Sequence, residues 1–336
     1  MANGGIIDAG AGVANSIGRY FSVVSFIPSS LYVLFVYLLV ASGSWHHPPD
    51  WNLAFLSLGH LGVDGIALLT FLGVGLGIFI HPIQFAVVQF FEGYWGTWPV
   101  AQAIRYQRIV RYQRLCQRHI KDVRNTKKRL AAWEKAGFET TLSIRAPVRS
   151  KLDEADRVRS MFPADLDEVM PTRLGNVLRR AESQAGSQYG IDALQATPNL
   201  LLIAPANHID YVNDQRSQLD LAVRMTFISM IAAATAIIFL WPYGTWILIV
   251  LIPFGLAYLS YRGSIVAAGH YGSALETLIN LNRFALYEQL HMQLPASTEN
   301  EQEENVKLRD LLGYVPDTTI DYEHPVTGDK SEAPSE

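Results

Sequence analysis

Thr70, Gly73, Gly77, His81, Gln84, Val88 and Glu92 follow one another at intervals of three or four residues. On a helix that spacing gathers them on one face, small and polar in a run that is otherwise Leu, Ile, Val and Phe. Such a face has two uses. Gly73 and Gly77 form the Gly-x-x-x-Gly spacing that lets two helices approach closely, with His81 and Gln84 bonded to neighbours. Alternatively the face lines a conduction path in an oligomer, with His81 and Glu92 responding to pH or ions. Ionisable residues within membrane spans usually face a bundle interior or water. Pro82 predicts a kink, which suits either use.

A second constellation is electrostatic. Arg105 to Arg129 holds ten cations and one acid, Asp122. Arg105, Arg108, Arg111, Arg114, Arg118 and Lys121 are the candidates for binding anionic lipid or another anion, because Lys/Arg clusters beside a span attract anionic headgroups. The plainer reading is a solvated helix face that also sets topology. No aromatic-rich nucleic-acid motif accompanies these cations, so no nucleic-acid partner is assigned. Val100–Ala136 contains no Pro or Gly. Ile109, Cys116, Val123 and Leu130 recur every seven residues, with Tyr112, His119 and Trp133 on the neighbouring stripe. That pattern predicts an amphipathic helix with a contact seam, expected to prolong the second span straight into the cytosol.

The sequence carries no nucleophile elbow, no His-Glu-x-x-His and no Gly-x-x-x-x-Gly-Lys. The glycine run 73–77 lies inside a span and lacks the strand–turn–helix context of a dinucleotide site. Cys116 has no His base at catalytic spacing. His46, His47, Asp50 and His60 have metal-ligand chemistry, but His-His-Pro-Pro reads as an exposed turn. No catalytic residue, metal or cofactor is therefore assigned. Asp220 and Arg224, four apart, are expected to bridge on a helix surface. Ser260, Ser264, Ala268 and Gly272 form a second close-packing stripe.

The elements that position these residues follow from the cations. Of 27 Lys and Arg, 21 fall between Arg105 and Arg224; none lies between Arg19 and Arg105, or between Arg224 and Arg262. With 49% hydrophobic and 17% charged residues, against about 25% charged in a typical soluble domain, the chain reads as a multi-pass membrane protein. Four spans are expected, at about 23–41, 66–87, 221–240 and 246–260, since each needs roughly 20 apolar residues. Residues 1–95 form the first membrane pair, with external loop 42–61 and an interfacial or re-entrant helix over Leu53–His60. Residues 96–220 form a cytoplasmic helical region, and 221–295 a second membrane pair with a cytoplasmic extension. Within the region before the third span, Thr172 is an N-cap and Gly186 a stop, and 139–165 looks irregular apart from a short helix over 153–159. Residues 296–336 form an acidic disordered tail, relieved by a short helix over Glu301–Leu312. From Glu299 onward the tail has 11 acidic and 3 basic residues, which makes it a candidate to fold back on and shield the Arg105–Arg129 helix.

Cations favour the cytoplasmic side, so both termini and Gly96–Asp220 are expected there. Trp45, Trp51, Trp241 and Tyr243 form the opposite interfacial belt. The N-terminus lacks a basic n-region before its apolar run, which is expected to remain as an anchor. One cysteine excludes an intrachain disulfide and suits a reducing compartment.

The segments HPIQFAVVQFFEGYW (81–95), MPTRLGNVLRRAE (170–182), YGID (189–192) and NLNRFALYEQL (280–290) resemble a family of uncharacterised bacterial multi-pass membrane proteins, mainly actinobacterial. The likeness runs from about Arg19 to Pro295. It implies a bacterial inner-membrane setting and brings no activity or ligand. The expectation is an all-α, four-span bundle whose helices extend into a cytoplasmic region. Its expected function is a homo-oligomeric channel or pore gated by that region, the alternative being a membrane-anchored scaffold or sensor that binds a partner or anionic lipid.

Overall fold

A computed structural model describes residues 21–135, 142–316, 318–320 and 322–323. The N-terminal segment with Arg19, residues 139–141 of the irregular stretch and residues 324–336 of the tail lie outside the described residues. All regular structure among the described residues is helical, apart from one isolated bridge between Met292 and Tyr322.

A π-helical turn, Phe21–Phe26, opens onto α1, Ile27–Ala41. Pro28 stands at the start of α1, where a missing N–H costs least. Asp50 caps α2, Trp51–Gly59, by accepting from Asn52 N and Leu53 N at 3.0 and 3.2 Å. The chain breaks at His60–Gly62 and re-enters helix as α3, Val63–Ile80. Pro82 forces a 3₁₀ turn over His81–Ile83 before α4, Gln84–Glu92.

The basic segment is helical over its expected length as α5, Pro99–Lys135, but it does not continue the preceding helix. Gly93, at φ 109°, ends α4, and Gly96 is also left-handed at φ 75°. Two such residues, followed by Pro99 at a helix start, redirect the chain. The stretch read as mostly irregular contains α6, Leu142–Arg159, with Pro147 in its second turn. Then follow α7, Arg173–Gln184, and α8, Ala193–Ile203. Helix α8 was hidden by Pro198; Asp192 starts it by accepting from Leu194 N and Gln195 N. Two long helices, α9 (Ala206–Leu240) and α10 (Leu251–Gln289), are joined through Trp241–Val250, where Tyr243 and Gly244 leave helical geometry. Last comes α11, Thr298–Leu312.

Three helical stretches are long and apolar enough to cross a membrane: Val24–Ala41, Val63–Glu92 and the 84 residues Ala206–Gln289. Phe71, Phe79, Phe85, Ile238 and Ile252 on them are exposed, as a hydrocarbon solvent permits.

The chain divides into two packing units, Met1–Arg180 with Asn213–Tyr271, and Ala181–Val212 with Gly272–Glu336. In the first, Leu219 and Val223 of α9 share a core with Ile265 and Ala268 of α10, Val87 of α4, and Leu174, Val177 and Leu178 of α7. Nearer the turn, Ala236 and Leu240 cluster with Ile249, Val250 and Leu39. The two long helices therefore run antiparallel. Trp45 packs on Phe239 and Trp51 on Trp246, with centroids 5.2 and 6.4 Å apart, which gathers aromatic rings at the turn end. The small-residue stripe of α10 is in contact as expected: Ser264 and Ala268 are buried, and Gly272, in the second unit, meets Ala181.

In the second unit, α11 packs through Glu301, Asn305 and Leu308. The short helix expected over Glu301–Leu312 is present as Thr298–Leu312, and it is packed rather than free.

Candidate functional site

The face read along the second apolar stretch divides in two. Gly73, Gly77 and Gln84 are buried, together with Ile80 and Val87; Thr70 and His81 are exposed, and Glu92 is half-buried. The buried residues keep the three–four spacing of a single contact line. His81 sits 100° round the helix from Ile80, enough to take it out of that line. A Cβ on Gly73 would come within 2.5 Å of Ser30 Oγ, and one on Gly77 within 3.2 Å of the Ser25 carbonyl oxygen. These glycines bring α3 directly against the serine face of the first apolar helix. The Thr70 hydroxyl donates to the Ile66 carbonyl in its own helix at 2.9 Å.

Gln84 reaches the residue that the sequence reading misplaced. Arg224 is fully buried, and its Nε donates to Gln84 Oε1 at 2.8 Å; Gln84 Nε2 donates to the Asp220 carbonyl at 3.3 Å. Asp220 is itself only 8% exposed. The pair expected on a helix surface is therefore interior. An amide is suited to this place because it offers one acceptor and one donor without adding charge. It ties α4 to α9 at two points of the latter's backbone and side chains, inside the core that includes Val87, Leu219 and Val223. The available sequence signal was a lone arginine inside an apolar run, which in a membrane demands an interior partner.

The segment Met170–Asn176 acquires a structural role. Thr172 Oγ1 accepts from Gly175 N as the N-cap of α7, and donates to the Glu92 carbonyl, each at 2.9 Å. It so satisfies one of the carbonyls left open where α4 ends. A Cβ on Gly175 would lie 2.1 Å from that same Glu92 oxygen, and one on Gly93 would lie 2.2 Å from Pro171 Cγ. Asn176, fully buried, accepts from Met170 N at 2.9 Å and donates to the Met170 and Thr172 carbonyls. The Met-Pro-Thr-Arg-Leu-Gly-Asn run is a cap fitted to the end of the second apolar stretch.

On α5 the seven-residue seam is visible in burial: Ile109, Tyr112, Cys116, Val123 and Leu130 are inward, with Cys116 only 2% exposed. Tyr112 packs on Phe162, with ring centroids 5.7 Å apart. Burial pushes the Cys116 thiol above its usual range, an effect that Arg159 opposes. The six candidate cations separate by face. Arg105 is half-buried, and Arg108 Nε donates to the Pro171 carbonyl at 3.3 Å. Arg111, Arg114, Arg118 and Lys121 are exposed on one stripe opposite the seam, continued by Lys128 and Arg129. A groove of about 530 Å³ runs along it, lined by Tyr106, Gln107, Val110, Arg111, Arg114, Leu115 and Arg118. Guanidinium groups beside Val110 and Leu115 suit a ligand with both an anionic and an apolar part.

Other concavities lack such chemistry. A crevice of about 590 Å³ between α1 and α3, lined by residues such as Tyr32, Val36, Leu72 and Gly75, is almost wholly apolar. The Tyr32 hydroxyl pairs with Thr235 Oγ1 at 3.1 Å. In the loop after α1, the His47 ring lies against Gly43 and its Nδ1 pairs with the Pro48 carbonyl at 2.9 Å.

No protein-family model, curated protein or solved structure matches this chain, so the family resemblance rests on the quoted segments alone.

Proposed function

We propose that this protein is a four-span protein of a bacterial inner membrane, acting as a membrane-anchored scaffold or sensor whose α5 binds anionic lipid at the cytoplasmic surface. Four crossings are supported by the 84-residue third stretch and its interruption at Tyr243–Gly244. At about 1.5 Å per residue that stretch would measure roughly 126 Å unbroken, four times a hydrocarbon core of about 30 Å. A cytoplasmic position for α5 and for both termini is supported by the cation distribution.

The observation that carries the lipid reading is the placement of the start of α5. A straight continuation of α4 would put Arg108 about 24 Å beyond Glu92. Instead Arg108 bonds to Pro171, whose ring lies against Gly93. The first turns of α5 stay beside the end of the membrane stretch, next to the exposed rings of Tyr94 and Trp98, residue types that favour headgroup depth. That placement supports the reading in which the stripe of Arg111, Arg114, Arg118 and Lys121 meets lipid phosphates. At ~1 kcal/mol per cation, four cations contribute ~4 kcal/mol, about a thousandfold in affinity.

The test is hydrogen exchange of the full chain in zwitterionic and in anionic nanodiscs. Residues 107–121 are expected to exchange more slowly in the anionic discs. The difference should vanish near 1 M salt, where the screening length is about 3 Å, and in the variant Arg111→Gln/Arg114→Gln/Arg118→Gln/Lys121→Gln. Equal protection in both lipids refutes the proposal.

One observation favours the channel as a second reading: Thr70 and His81 are exposed on an otherwise apolar helix, and a polar lining could form where they meet between copies in a homo-oligomer. With Gly73, Gly77 and Gln84 in intramolecular contacts, that lining would rest on Thr70 and His81. Ion flux in liposomes that changes with His81→Ala would support it; a monomer in the bilayer would exclude it.

A further inference from the structure

The contact surface of α11 is unusual for a terminal helix. Its buried residues are Glu301, Asn305 and Leu308, so two of the three are polar. Glu301, 3% exposed, accepts from Arg283 Nε at 2.7 Å. The Arg283 guanidinium lies 4.1 Å from the Tyr189 ring centroid and 4.3 Å from that of Phe284, and Nη1 donates to the Asn280 carbonyl. Asn305 Oδ1 accepts from the Tyr287 hydroxyl at 2.7 Å, and its Nδ2 donates to the Tyr189 carbonyl at 2.8 Å. Gln302 Nε2 donates to the Gln188 carbonyl at 2.9 Å. The receiving surface is thus a cation held between two aromatic rings, flanked by a phenol and by the carbonyls of the turn 187–189.

Two physical points follow. A 15-residue helix is marginal alone in water, so α11 depends on this surface. Docking through polar contacts is specific, and on release water or another ligand can satisfy the same groups. The surface is built on α10 and on a turn with Gly186 and Gly190, both left-handed. A Cβ on Gly190 would lie 3.2 Å from the Gln302 carbonyl, so backbone meets backbone there.

We propose that the cradle formed by Arg283, Tyr189, Phe284 and Tyr287 is an exchangeable docking site for an acidic amphipathic helix of a partner protein, and that α11 is its resident occupant. The partner would present a carboxylate, an amide four residues on and a Leu three further, the spacing of Glu301, Asn305 and Leu308. The charge complementarity is direct, an arginine in the receiving surface and a carboxylate in the helix. Helix-in-groove recognition of this kind reads anchors at i, i+4 and i+7. The exposed face of α11 carries Glu299 and Glu303, so release would also free an acidic helix.

The experiment uses the full chain in detergent and a fluorescent peptide of residues 296–315. The variant Glu301→Ala/Asn305→Ala weakens the resident helix and leaves the cradle intact. It should bind the peptide at least tenfold more tightly than the wild-type chain, in which α11 competes. Adding Arg283→Ala should remove that binding, and a peptide with Glu301→Gln should lose tenfold or more. Hydrogen exchange over 298–312 reports release independently of folding elsewhere. Equal peptide binding by the wild-type and Glu301→Ala/Asn305→Ala chains overturns the proposal. So does persistent protection of 298–312 in that variant, and so does failure of the released chain to bind the peptide.

Discussion

Replacing Gln84 by Met tests whether the buried amide holds the membrane helices together. Met keeps the length and most of the volume of Gln but has neither the acceptor for Arg224 Nε at 2.8 Å nor the donor to the Asp220 carbonyl at 3.3 Å. A buried hydrogen bond to a charged group contributes about 1.5–3 kcal/mol in soluble proteins. Interhelical hydrogen bonds within membranes average about 0.6 kcal/mol and reach about 1.7, because the unfolded chain in the bilayer also finds partners. Arg224 is fully buried, which places this contact at the upper end. The 3.3 Å contact to a backbone carbonyl is long and adds little. The expected loss is therefore about 2 kcal/mol. The assay is reversible unfolding in mixed micelles titrated with a denaturing detergent, followed by circular dichroism. A cycle with Arg224→Met should return a coupling of about 1.5 kcal/mol, since removing both partners leaves no buried cation without its acceptor. A Gln84→Met chain within about 0.5 kcal/mol of wild type, or a coupling near zero, would refute the reasoning. The contact would then be an accident of packing.

Glycines on the same helix should behave oppositely. Gly77→Ala meets a backbone carbonyl at 3.2 Å and should lose about 1 kcal/mol or more, while Gly75→Ala, with nothing within 4 Å, should gain up to about 1 kcal/mol of helix propensity. Asn176→Ala removes three buried hydrogen bonds and should cost about 2–3 kcal/mol, read as a lowered melting temperature with slower-protected exchange lost over 170–180. Burial raises the Cys116 pKa, so the neutral thiol is favoured in the folded chain. Its contribution to stability is complete below the unfolded value of about 8.5 and is lost as pH rises through the higher folded value. Cys116→Ser should flatten that alkaline decline, and the wild-type thiol should alkylate slowly at pH 8.5 until the chain unfolds.

Charge spacing and hydropathy made the helical class and the apolar stretches legible, because a bilayer leaves little freedom in composition. The α5 seam was legible for a similar reason: a heptad of Ile109, Cys116, Val123 and Leu130 has one side to hide. What escaped was anything set by a single side chain reaching across the fold. His81 belonged by spacing to the face of Gly77 and Gln84, and only the contact line through Ile80 excluded it. Arg224 looked like half of a surface pair because its acceptor lies 140 residues away. The turn after Glu92 was missed because the basic helix was expected to prolong the second span, whereas Gly93 and Gly96 are left-handed and Pro171 packs against Gly93. The short helix at Glu301–Leu312 was legible in the tail, but not its partner: Glu301 meets a specific cation, Arg283, on α10.

The turn at Gly93–Trp98 has a mechanical consequence. A continuous helix from membrane to cytosol would behave as a stiff rod, and any tilt of α5 would turn the span beneath it. Two left-handed glycines within four residues act as a swivel that passes on little torque or bending. Motion of the basic helix then reaches α4 through the Arg108–Pro171 bond and, beside it, the Thr172–Glu92 bond and the close Gly175 contact, a second and shorter linkage. Lengthening the 93–98 turn should therefore leave the coupling between the two regions intact, while Gly175→Ala, with the turn untouched, should sever it.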